Sequence, residues 1–177
     1  NDVVTVFAED AHLDECRFAG GIAPRESIGG RGLALIDRTH CKVTRCEFEQ
    51  NAVGAIIIGM LAEPVLEDNY CQGIGYAIDY CGLAAGIARR NRCTTREGYG
   101  ISLVESAQPV LEANICERNA FGIQYRNSSS GTAHQNQCKN NSIAGIAVQD
   151  ESAPMLEANV CSENENHGIS ICDQARP

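Results

Sequence analysis

Seven of the ten cysteines in this 177-residue chain recur at a near-constant interval, and thiols in register suggest two kinds of chemistry. One is thiolate metal binding and the other is redox exchange. Cys71, Cys93, Cys116, Cys138 and Cys161 are spaced by 22, 23, 22 and 23 residues, and Cys46 and Cys16 extend the series at longer intervals. A metal needs ligands that converge in three dimensions, whereas a periodic series gives a line. There is no Cys-x-x-Cys pair, and no histidine shares the column. The spacing therefore predicts small buried hydrophobes with no metal and no cofactor. Stacked thiols on parallel strands also point the same way, which is poor geometry for a bridge, so free thiols are expected. Many free thiols favour a reducing compartment such as the cytoplasm, although the compartment itself is left open.

General acid–base chemistry needs paired carboxylates or a carboxylate with a basic partner. Glu105 and Asp150 occupy matching turn positions two repeats apart, about 9.6 Å if repeats stack at strand spacing. That is at the upper limit for an inverting glycosidase pair. His134 falls between Glu112 and Glu157 in another column and is the third catalytic candidate. Against all three stands the reading that they are solvated turn and ladder charges. The outward strand positions Ala34, Ile57, Asp79, Ser102, Gln124, Ala147 and Ser170 hold one acid with no basic partner beside it. The longest insertion, "AGGIAPRESIGGRG" at residues 19–32, carries Arg25, Glu26 and Arg31 among glycines and is the candidate contact loop.

These groups are positioned by a repeat without helix-length amphipathic stretches. Two residues before the cysteine stand Asn69, Asn91, Asn114, Asn136 and Asn159, with Thr44 and Asp14 in the early copies. Five before it stand Leu66, Leu111 and Leu156, or Cys41, Ala88 and Ala133. Downstream come apolar pairs at strand spacing, such as Ile101 and Leu103 or Ile123 and Tyr125, each preceded by Gly or Ala. Turns close on Pro64, Pro109, Pro154, Gly86 or Gly131. The asparagines predict an amide ladder, with Asn119, Asn141 and Asn164 as a second, and with left-handed backbone at the asparagine itself. The fold expected is an all-β solenoid of about seven coils, 22–23 residues each, roughly 34 Å long, forming a single domain over residues 1–177.

"PVLEANICERNAFGI" and its copies resemble the right-handed parallel β-helix repeats of carbohydrate-binding proteins and sugar hydrolases, within the pectin-lyase-like class. The resemblance covers about residues 11–173 and implies a right-handed parallel β-helix. It does not imply one function. Similar repeats occur in pectin-lyase-like enzymes, alginate epimerases, a periplasmic protein that helps mature nitrous oxide reductase, and the substrate-binding region of an F-box protein.

A net charge of -9 argues against nucleic acid and anionic membranes as partners. No apolar run approaches the roughly 20 residues of a membrane span. The chain opens on an apolar strand, "NDVVTVF", and closes inside a repeat, "ICDQARP", so a segment of a longer protein is expected, with further coils or end-to-end self-association. Enzymes on acidic polysaccharides would offer Arg or Lys on the binding face, and few appear. The expected function is a noncatalytic binding or scaffold module for carbohydrate or protein. The alternatives are a polysaccharide lyase, epimerase or hydrolase, and a purely structural spacer.

Overall fold

In the computed structural model, which describes residues 2–22 and 30–177, three parallel sheets run the length of a solenoid. The first sheet stacks the strands Val4–Val6, Arg31–Leu35, Gly54–Ile58, Tyr76–Tyr80, Tyr99–Leu103, Phe121–Tyr125, Ala144–Val148 and His167–Ile171. The second runs from His12–Asp14 to Met155–Glu157, and the third from Arg17–Ala19 to Val160–Ser162, with seven three-residue strands each. The chain visits the sheets in that order once per coil. Every strand therefore hydrogen-bonds to its equivalents one coil away, and the expected parallel solenoid is what the chain forms.

Strand alternation drives one face of each sheet inward. Leu33, Leu35, Ile56, Ile58, Ile78, Tyr80, Ile101, Leu103, Ile123, Tyr125, Ile146 and Val148 are wholly buried. Each such aliphatic side chain contributes roughly 1.5–3 kcal/mol by leaving water. The third sheet contributes the thiol column, with Cys71, Cys93, Cys116, Cys138 and Cys161 in direct register. All ten cysteines are free.

Cys16 and Cys46, the first two of the seven in the series, are not in that column. Cys71 pairs with Phe48, and Phe48 with Phe18, whose rings stack at 4.7 Å. Cys46 instead sits level with Asn69, and its backbone N–H donates to Asn69 Oδ1 at 2.9 Å. Cys16 and Cys46 each follow a left-handed residue, Glu15 or Arg45, as the ladder asparagines do. Thr44 and Asp14 accordingly belong to the outward column of Glu67, and Val43, not Cys41, precedes Leu66. What the coils conserve in register is a buried apolar site, and phenylalanine fills it as well as cysteine does.

The corners are closed by side-chain ladders. Asn69, Asn91, Asn114 and Asn136 each donate their side-chain amide to the amide oxygen of the next, the last to Asn159, at 2.9–3.0 Å. Each of the first four also donates its backbone N–H to the same oxygen of the next. The second ladder runs Thr95, Asn119, Asn141, Asn164. The left-handed backbone lies one residue earlier than expected, at Asp68, Arg90, Ala113, Gln135 and Ala158 before the first ladder and at Arg118, Asn140 and Glu163 before the second. The bend precedes the amide, leaving the amide free to point along the axis.

The second ladder, with the backbone carbonyl of the next coil at 2.5–2.6 Å from an added Cβ, accounts for a run of glycines in one column of the first sheet. A Cβ at Gly100, Gly122 or Gly145 would lie 2.9, 3.0 or 2.8 Å from the Nδ2 of Asn119, Asn141 or Asn164 in the following coil. Ala55 and Ala77 are tolerated at the equivalent position because the next corner holds Gly73 or Thr95 in place of asparagine.

Candidate functional site

Two columns face outward on the first sheet. One reads Arg31, Gly54, Tyr76, Tyr99, Phe121, Ala144, His167, and the other Ala34, Ile57, Asp79, Ser102, Gln124, Ala147, Ser170. The five-residue strands make this the widest face of the rod.

Arg31 opens a strand of this face, although the sequence places it in the insertion. Arg25 and Glu26, the other two contact-loop candidates, lie outside the described residues. Gly54 lets Arg31 meet Tyr76 across two coils: a Cβ there would be 2.2 Å from Tyr76 Cε2, so the ring lies over the glycine. Arg31 Nε donates to the Tyr76 hydroxyl at 2.8 Å, and Nη1 stands 3.6 Å from Asp2 Oδ2. Burial pushes the Tyr76 phenol up to about 12 despite the pull of Arg31. Asp79 is not isolated either. Burial pushes its carboxyl above the usual range, the hydrogen bond to Ser102 and the charge of Arg31 oppose that, and Glu105 adds to it. The sequence reading missed this group because its members are separated by a glycine coil, and only the ring spans the gap.

Beside them is a hollow of about 300 Å³, lined by Arg31, Ile36, Ile57, Gly59, Met60, Cys81, Gly82 and Glu105. Two glycines create it. Gly59 lies between Ile36 and Cys81, and a Cβ there would only just reach the Cys81 sulfur at 3.4 Å. Gly82 interrupts the turn column between Met60 and Glu105. A second hollow of about 470 Å³ lies at the corner of Asn51, Gly73 and Arg96, where Gly73 again omits a side chain. The carbonyl and amide of Asn51 there are committed to the Gly21 N–H and the Phe18 carbonyl.

Further along the rod, Tyr99 and Phe121 stack with centroids 5.7 Å apart and planes 19° from parallel. Both are half-buried. Next to them lie Ser102 and Gln124, the latter donating to Gln149 Oε1 at 2.9 Å.

The three catalytic candidates are not brought together. Glu105 and Asp150 share the left-handed turn column after the first sheet, and both are bound to backbone amides of the preceding coil. The Gly82 N–H donates to Glu105 Oε2 at 2.5 Å and the Asn127 N–H to Asp150 Oδ2 at 2.7 Å. The Glu105 N–H in turn donates to Asn127 Oδ1 at 3.1 Å. This is a third ladder, and its carboxylates serve as caps. His134 lies on the second sheet, with Nδ1 3.4 Å from Glu157 Oε2. In its column Arg89 pairs with Glu67 at 2.9 Å. Among the described residues no group of three or more His, Cys, Asp or Glu could hold a metal ion, and no helix is long and apolar enough to cross a membrane.

No curated protein and no solved structure matches the chain. The model of the right-handed β-helix region matches residues 4–153 and 87–177, and so nearly the whole length. With its parallel coils and their stacked columns, the chain belongs to the right-handed β-helix family.

Proposed function

We propose that this domain is a noncatalytic binding module and that its ligand is an extended carbohydrate lying along the outer face of the first sheet. The observation that carries the reading is the Tyr99–Phe121 stack, two half-buried rings one coil apart that lie on each other and so leave their edges along the outer face, beside the polar column of Asp79 and the largely buried Ser102 and Gln124. Sugar rings present apolar C–H faces and hydroxyl edges, and a column of aromatic ring edges next to polar side chains offers contacts to both. A polymer crossing successive coils would meet the same pair of columns again at each step of about 4.8 Å.

Support for binding without turnover comes from the acids. Glu105 and Asp150 are held by backbone amides, and His134 is on another sheet. The one observation that favours an enzyme instead is Asp79, a carboxyl kept towards its neutral form within reach of Arg31, as a general acid requires. A glycan array, run beside assays for unsaturated or shortened products on alginate and pectate, separates the readings. Array binding without turnover is expected. Turnover would establish the enzyme, and silence in both would leave the domain as a spacer.

A further inference from the structure

The hollow formed by Gly59 and Gly82 has a character of its own, independent of the carbohydrate reading. Its floor is aliphatic, from Ile36 and Ile57. Its rim continues as exposed apolar surface, with Met60, Leu61 and Leu83 at 58%, 42% and 55% exposure. Its charges are unequal. Among the described residues that line it Arg31 is the one cation, and it is already engaged by Asp2 at 3.6 Å and by the Tyr76 hydroxyl. Against it stand Glu105 in the lining and, outside the lining but acting on Arg31, the carboxyls of Asp2 and Asp79. With Asp79 either ionised or protonated, the sum stays negative. The Cys81 thiol adds no charge, because burial first, then Asp79 and Glu105, push it up to about 11.

We propose that this hollow receives the side chain of a lysine presented by a partner polypeptide. The four-carbon stem lies on Ile57 and Met60 and the ammonium reaches Glu105, the arrangement in which lysine buries its stem while its head stays near charge and water. The apolar rim of Leu61 and Leu83 contacts the partner's flanking residues. An anionic group, which Arg31 alone would attract, is disfavoured by Asp2 and Glu105.

The test uses N-acetyl-lysine N-methylamide, with the norleucine and glutamate amides as controls, titrated against ¹³C-methyl signals of Ile36, Ile57 and Met60. The lysine amide is expected to bind about fivefold more tightly than the norleucine amide, the scale of one half-exposed ion pair. Glu105→Gln keeps an oxygen for the Gly82 N–H and removes the charge, and it should bring that ratio towards one. Gly59→Leu fills the hollow and should abolish the methyl shifts. The proposal is overturned if norleucine binds as well as lysine, if glutamate binds more tightly, if none of the three shifts the methyls, or if Gly59→Leu leaves lysine binding unchanged.

Discussion

The side-chain amide of Asn114 donates to Asn136 Oδ1 at 3.0 Å across 22 residues of sequence, and the carbonyl of Asn114 accepts both the backbone and side-chain N–H of Asn91, each at 3.0 Å. The amide also reaches the Ala88 carbonyl at 2.8 Å. One wholly buried side chain thus closes four hydrogen bonds over three coils. Asn114→Leu would strand the Asn91 donors and the Ala88 acceptor in a dry interior. A loss of roughly 3–5 kcal/mol is expected. Urea unfolding with an unchanged m-value checks it, and a variant that unfolds with the parent would contradict the ladder.

Gly122 tests the link between the first sheet and the second ladder. An added Cβ would lie 2.5 Å from the Gly145 carbonyl oxygen and 3.0 Å from both Asn141 Nδ2 and Cys138 Cβ. Gly122→Ala should destabilise by about 1–3 kcal/mol through overpacking. Adding Asn141→Thr, which copies the Ala77–Thr95 pairing of an earlier coil, should recover part of that loss. Strict additivity of the two changes in melting would show that the positions are not coupled.

Tyr80 and Tyr125 place their hydroxyls inside the rod, where neither oxygen has a hydrogen-bond partner among the described residues. Burial pushes both phenols far up, so they are neutral at any working pH. Because an unsatisfied buried hydroxyl costs about 1–3 kcal/mol, removing it relieves a penalty that outweighs the loss of one small atom from the packing. Tyr80→Phe and Tyr125→Phe should each be neutral or more stable than the parent by thermal melting. A large destabilisation would mean that the oxygens are hydrogen-bonded after all.

Acid should weaken the third sheet at Glu117. Burial alone would raise this carboxyl, but Arg92 and Lys139, the latter at 3.4 Å, outweigh it and the net pKa is lowered. A carboxylate lowered in the folded state contributes stability that is full above the ordinary glutamate value and is lost as pH falls through the folded value. Glu117→Gln should therefore reduce stability at neutral pH and flatten its decline below about pH 4.5. Parallel stability–pH curves for variant and parent would contradict this.

Much of the scaffold was legible in the sequence, because a solenoid writes its period into the chain. Cys71 to Cys161, Asn69 to Asn159 and the paired inward residues all fall where their spacing put them. The first coils were misread because cysteine identity was followed through an irregular stretch, whereas the register there is kept by Phe18 and Phe48. The outer face was harder to read. Arg31 reaches Tyr76 only because Gly54 has no side chain, and the hollow beside Cys81 exists only because Gly59 and Gly82 have none. Glu105 and Asp150 look in sequence like an acid pair and are in fact caps, a distinction that depends on where backbone N–H groups point.

The binding role of the first sheet is tested most directly by one glycan array run with the parent and with a Tyr99→Ala/Phe121→Ala variant whose melting shows it to be folded. The parent should bind at least one extended glycan, and the variant should lose about tenfold or more of that signal, since contact with two rings contributes about 1.4 kcal/mol or more in total. Equal binding by the folded variant, or cleavage of the bound glycan by the parent, would contradict the account.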